Sequence, residues 1–282
     1  MAKDWNFRQI AAEFLATTLF VWCGTGAAVS SNRWSEAGTN DPAALITIAI
    51  GFGFAISVLA YGIGHISGGH INPAVTLAFV ALGEQSIVSG LLYMIAQFAG
   101  AFMGSLILWG CTFSLTDICK TVDSMVTGVC RNSVSPDGSY GPPFGLGLNS
   151  VGPRVNTGAA FLLEIVGTYL LVITVMNSAV HKKSGAGNAA PIAIGWSVML
   201  AHIVLIPYTG CGINPARSFG PMMVDSIGGL AGKVWVRGWW VYYTAPFVGS
   251  LLAAFTYKFI FEEPEEKAEE PETKKDEENV DA

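Results

Sequence analysis

Charge is scarce in this chain. Only 13% of its 282 residues are Asp, Glu, Lys or Arg, about half the ~25% usual for a soluble domain. So few charges cannot clothe a water-facing surface of this size. The 51% share of hydrophobic residues points instead to a surface covered partly by lipid. Other absences narrow the function. No basic patch suited to nucleic acid is present. The cysteines, Cys23, Cys111, Cys119, Cys130 and Cys211, form no Cys-x-x-Cys pair and no zinc-like spacing with histidine. Their odd number argues against a disulfide scaffold; Cys119 and Cys130 could bridge within one loop, but that is not the favoured reading. No Asn-x-Ser/Thr acceptor occurs. No nucleophile, cofactor or metal constellation stands out, so neither an enzyme nor a cofactor is expected.

The charges that exist are unevenly placed. Residues 262–282 hold 11 acidic and 3 basic side chains, a net of −8, which leaves the rest of the chain near +2. The expected organisation is a nearly neutral domain over residues 1–261, followed by an acidic tail, 262–282, too polar to fold.

Six apolar stretches lie at roughly 10–29, 44–64, 87–113, 157–180, 190–208 and 239–261. Each approaches or exceeds the ~20 residues that cross ~30 Å of hydrocarbon. Lipid leaves unpaired backbone groups unsolvated, so all six should be helices. The first could be read as a signal peptide, but its length and the embedded Glu13 fit a transmembrane helix better. Residues 114–156 and 225–238 read as loops, and 181–189 as a short one carrying Lys182 and Lys183. Two shorter apolar pieces, 73–82 and 215–224, cannot span. Ten helical residues cover ~15 Å, so two of them meeting end to end would cross the membrane together.

Each short piece begins with the same triplet, Asn72-Pro73-Ala74 and Asn214-Pro215-Ala216. The repeat extends outward. Residues 67–76, SGGHINPAVT, align with 209–218, TGCGINPARS, and Glu13 and Glu164 open matching segments upstream. The halves, about 7–113 and 157–261, each contain three spans, so the second must be inverted relative to the first. Asn is a preferred N-cap and Pro a preferred first helical residue, so each triplet starts a helix. Both N-termini would face the membrane centre, each bringing about half a unit of positive charge. The cap uses the Asn carbonyl oxygen and leaves the amide hydrogens to donate to a passing water. That arrangement interrupts a proton relay and repels cations.

Arg217 sits in the first turn of the second short helix, where a cation opposes the dipole. At membrane depth it costs ~2.5–3.5 kcal/mol. Stability does not explain it, and a pore role does. Glu13 and Glu164 could form a proton relay, but their repeat symmetry favours buried acceptors that fix the loops before the triplets, with Gln97 acting similarly. The spacings Gly64-x-x-x-Gly68 and Gly100-x-x-x-Gly104 permit close helix approach. His65 and His70 lack further ligand candidates, so no metal site is expected.

Together, the paired triplets, the paired glutamates and the segment GCGINPARSFG at 210–220 resemble the aquaporin, or major intrinsic protein, family over about residues 7–261. The resemblance implies an all-α membrane fold: six transmembrane helices plus two re-entrant half-helices in an inverted repeat, assembled as a homotetramer with one pore per subunit. It implies a selectivity filter at Phe52, His202, Cys211 and Arg217, a set similar to that of strict water channels. Ser218, where glycerol-type members carry Asp, favours the same side. Met222 and Tyr243 depart from the pattern, which more often has Ala and Trp there. The expected function is passive conduction of water, with hydrogen peroxide as a further permeant. A glycerol or small-solute channel, an ion-coupled transporter and an added adhesive role are the alternatives. The lipid bilayer is the expected surrounding, with both termini cytoplasmic and the plasma membrane favoured over an intracellular one.

Overall fold

A computed structural model describes residues 5–34, 42–121, 146–228, 235 and 237–262. The described chain contains eight α-helices: α1 Phe7–Trp34, α2 Pro42–Ser67, α3 Pro73–Ala81, α4 Ile87–Thr121, α5 Thr157–Val175, α6 Ala190–Thr209, α7 Pro215–Gly228 and α8 Val241–Thr256. A turn of wider π helix extends α5 to Val180 and α8 to Phe261. Six segments are long and apolar enough to cross a membrane, at Phe7–Ser31, Pro42–Ser67, Ile87–Thr112, Thr157–Val180, Gly187–Thr209 and Val241–Phe261. They coincide closely with the six apolar stretches of the sequence.

Two loop expectations need correction. Helix α4 continues to Thr121 rather than ending near 113. Helix α7 runs to Gly228, four residues past its expected end, so Asp225 is helical. Fourteen residues make α7 about 21 Å long. A disulfide between Cys119 and Cys130, and the acidic tail beyond Glu262, lie outside the described residues.

Lipid tails are as apolar as leucine, so the hydrophobic effect does not press these helices together, and close packing must do so. Glycines provide it. A Cβ on Gly195 of α6 would lie 1.9 Å from Ser57 Oγ and 2.4 Å from Gly53 O on α2. One on Gly100 or Gly104 of α4 would lie 2.4 or 2.3 Å from the Phe14 or Thr18 carbonyl of α1. The Gly100-x-x-x-Gly104 reading therefore describes a helix contact. The Gly64-x-x-x-Gly68 reading does not, because a Cβ on Gly64 would meet nothing within 4 Å. Outward faces carry exposed apolar rows such as Leu15 and Leu19, Phe54 and Val58, and Leu162 and Val166.

The short helices α3 and α7 approach each other by their N-terminal ends, where Asn72 bonds to Ile213 and Asn214 to Ile71. Helix α3 packs on α4 and α8, and α7 packs on α4.

Candidate functional site

The two Asn-Pro-Ala triplets meet. Asn72 caps α3 by accepting from Ala74 N at 2.8 Å, and Asn214 caps α7 by accepting from Ala216 N at 3.0 Å and Arg217 N at 3.2 Å. Each side-chain amide also reaches the other half of the chain. Asn72 Nδ2 donates to Ile213 O, and Asn214 Nδ2 to Ile71 O, both at 2.9 Å. This corrects the expectation of wholly free amide hydrogens. One hydrogen of each NH₂ is committed across the repeat, and one remains.

Those crossing bonds need the Ile71 and Ile213 carbonyls turned toward the centre. Both residues adopt left-handed backbone, with φ of 55° and 45°. That conformation is unfavourable for a β-branched residue. The buried glutamates hold it in place. Glu13 accepts from Ile71 N (2.7 Å), His70 N (2.9 Å), Ser67 Oγ (2.7 Å) and Gln97 Nε2 (2.8 Å). Glu164 accepts from Ile213 N (2.7 Å), Gly212 N (2.8 Å) and Thr209 Oγ1 (2.6 Å). The backbone and hydroxyl partners are equivalent in the aligned repeats. Each carboxylate thus binds backbone N–H groups of the two residues that precede its triplet.

A second symmetric device was not legible in the sequence. Tyr93 Oη donates to Ser67 O at 3.0 Å, and Tyr242 Oη to Thr209 O at 2.8 Å, so each third span ties down the last carbonyl of the second. His70 is buried and its Nδ1 lies 3.1 Å from Thr76 Oγ1, whereas His65 is exposed. Among the described residues no cluster suited to a metal ion occurs.

The repeat breaks where chemistry is expected. Gly69 aligns with Cys211, and Val75 with Arg217. The structure gathers three of the four filter candidates directly. The Phe52 and His202 rings stack at 4.3 Å, and the Arg217 guanidinium carbon lies 4.6 Å from the Phe52 ring centre. Cys211 is buried in the same apolar cluster as Phe52, between Gly210 and Gly212. All four are at most 3% exposed, so any passage between them is narrow.

Two buried nitrogens of this group lack a hydrogen-bond partner among the described residues. His202 Nδ1 lies 2.8 Å from Val198 O and must carry the hydrogen it shares there, which leaves Nε2. Neither Nε2 nor Arg217 Nε has a hydrogen-bond partner among the described residues. Arg217 Nη1 donates to Gly147 O at 2.8 Å. Beside His202 lies a cavity of about 280 Å³. Its wall is mostly apolar, with Val75, Leu171 and Val198, and it is marked by His70, Asn72 and Asn214.

The segment 146–152, expected only as part of a loop, belongs to the site. Asn149 Nδ2 donates to Gly210 O and its Oδ1 accepts from Ser218 Oγ, both at 2.8 Å. Gly152 N donates to Tyr208 O at 2.8 Å. Met222 and Tyr243, the two departures from the family pattern, touch each other, with Tyr243 Oη 3.4 Å from Met222 Sδ.

Comparison with known proteins agrees with this architecture. Residues 1–257 match the family model described as "Major intrinsic protein". Human aquaporin-1 is 38% identical over 260 residues, covering 92% of this chain and 83% of that protein. Pig aquaporin-1 is 36% identical over 260 residues, with 90% and 82% covered. The X-ray structure of the aquaglyceroporin from Plasmodium falciparum superposes with a TM-score of 0.73, over 90% of this chain and 96% of that one, at 20% identity, which speaks to the fold. The two capped half-helices, the six spans and these similarities together make the chain a multi-pass membrane protein of the major intrinsic protein, or aquaporin, family.

Proposed function

We propose that this chain is a passive water channel that excludes ions and protons and also passes hydrogen peroxide. The carrying observation is the Phe52, His202 and Arg217 grouping, with two buried nitrogens that lack partners among the described residues. A permeant there must be small and must exchange hydrogen bonds with Nε2 of His202 and Nε of Arg217. Water satisfies both demands. Glycerol needs width and an apolar wall for its carbon backbone, and His202 supplies neither.

Further along, the free hydrogens of the Asn72 and Asn214 amides donate to the oxygen of a passing water. That water then turns its own hydrogens outward, so a hydrogen-bonded relay reverses direction at the centre and protons do not hop through. The positive ends of α3 and α7 add a barrier to cations. The charge of Arg217 acts in the same sense. The similarity to aquaporin-1 of human and pig supports the water reading. A homotetramer with one pore per subunit, cytoplasmic termini and a plasma-membrane setting complete the proposal.

Stopped-flow shrinkage of vesicles carrying the purified protein tests it. Water flux well above that of empty vesicles, with glycerol retained as an osmolyte, is the expected result. Flux equal to that of empty vesicles would refute water conduction. Rapid glycerol entry would favour the solute channel.

A further inference from the structure

Asp225 plays no part in the pore described so far, yet it is a carboxylate only 1% exposed. It sits eight residues after Arg217 on α7, roughly 12 Å along the helix axis, beyond the reach of that side chain. Its oxygens instead face the segment that holds Arg217. Leu146 N lies 3.1 Å from Asp225 Oδ2 and 3.4 Å from Oδ1, so one N–H is shared between both oxygens. The next residue, Gly147, is the one whose carbonyl accepts from Arg217 Nη1.

The same short segment is fixed on its other sides. The Leu146 side chain is fully buried against Leu108 and Val224. Gly147 has a φ of +71° and lies so close to α1 that an added Cβ would be 3.0 Å from Thr25 Cβ. One helix therefore holds both ends of a clamp, with Arg217 near its start, Asp225 near its finish, and Leu146-Gly147 bridging them.

We infer that Asp225 is a positioning residue for the selectivity filter, acting through Leu146 and Gly147 to keep the Arg217 guanidinium at the edge of the aperture. What matters is an acceptor at this position, aimed at the Leu146 N–H. Without it the Gly147 carbonyl drifts, Arg217 loses its fixed donor contact, and the time-averaged aperture widens. Small neutral solutes then leak more, while water is affected less. The inference rests on the reading of Arg217 as a filter residue.

The test is the ratio of urea to water permeability in proteoliposomes. Measured within one vesicle preparation, the ratio is independent of how much protein inserts. Loss of one net hydrogen bond corresponds to roughly a fivefold change in population, so Asp225→Ala should raise the ratio about that much. Asp225→Asn, which keeps an acceptor oxygen, should retain the ratio of the unmodified protein. Should Asp225→Ala fail to insert, Asp225→Val carries the same expectation with less lost volume. In an Arg217→Ala background, Asp225→Ala should add nothing. An unchanged ratio in Asp225→Ala while Arg217→Ala leaks would overturn the role of Asp225 alone. Equal leaks in the Ala and Asn variants, or additivity with Arg217→Ala, would also overturn it. No leak in Arg217→Ala would bring down the filter reading itself.

Discussion

At the scale of single residues, the site depends on a few side chains whose neighbours satisfy them only in part. His202 has Nδ1 tied to the helix behind it and a buried Nε2 without a partner among the described residues. Replacing it by Ala removes both a donor or acceptor and the ring stacked on Phe52, so glycerol permeability should rise several-fold while water flux persists. Light-scattering with a glycerol gradient reads this directly. Cys211 is buried with the filter residues, and a mercurial attached to it would occupy the passage. Mercury block should be seen in the unmodified protein and should vanish in Cys211→Ser. Block that persists in that variant would remove Cys211 from the aperture.

Some of this is legible in the sequence because the residue types are costly in a membrane. An arginine and two carboxylates at depth demand a reason, and Arg217, Glu13 and Glu164 stand out on that ground. Tyr93, Tyr242, Asn149 and Asp225 do not. Tyrosine and asparagine carry no comparable signal, and the contacts of Asn149 and Asp225 join residues 61 to 79 positions apart. The distinguishing mark of Asp225 emerges only once α7 proves longer than its apolar stretch.

At the scale of elements, each half-helix is held by a carboxylate that satisfies several donors. Truncating Glu13 to Ala would leave four donors without their acceptor. An unsatisfied buried polar group costs roughly 1–3 kcal/mol, so little folded protein should be recovered. Glu13→Gln should fold with a lower melting temperature in detergent, and a melting temperature equal to that of the unmodified protein would count against the anchor role. The crossing of α2 and α6 is similarly unforgiving. Gly195→Val would drive atoms into Ser57 and the Gly53 carbonyl, and it should prevent insertion of a stable fold. Gly64→Val should still fold, since an added Cβ there would meet nothing within 4 Å, although Gly64 lines the cavity. Sequence spacing alone treats the two Gly-x-x-x-Gly pairs alike. Only one faces a partner helix, because spacing says which residues share a face but not what that face meets.

At the scale of the whole molecule, the six spans are the most legible feature, since length and hydropathy are the physical requirements for crossing lipid. The proposed passage between them, barred to cations, predicts a dissociation of fluxes. Vesicles loaded with a pH-sensitive dye should show proton entry no faster than empty ones, under conditions where water flux is strongly raised. Proton flux that scales with water flux would contradict the reversal of water orientation at the two asparagines.

The reciprocal bonds between Asn72 and Ile213 and between Asn214 and Ile71 span 141 and 143 positions. Neither half of the polypeptide can therefore finish its own centre. During synthesis the first half enters the bilayer with the Asn72 amide and the Ile71 carbonyl lacking their counterparts, and it must wait for the second to arrive. Two separately translated fragments, split in the connection between α4 and α5, should each be inert alone and regain conduction when made together.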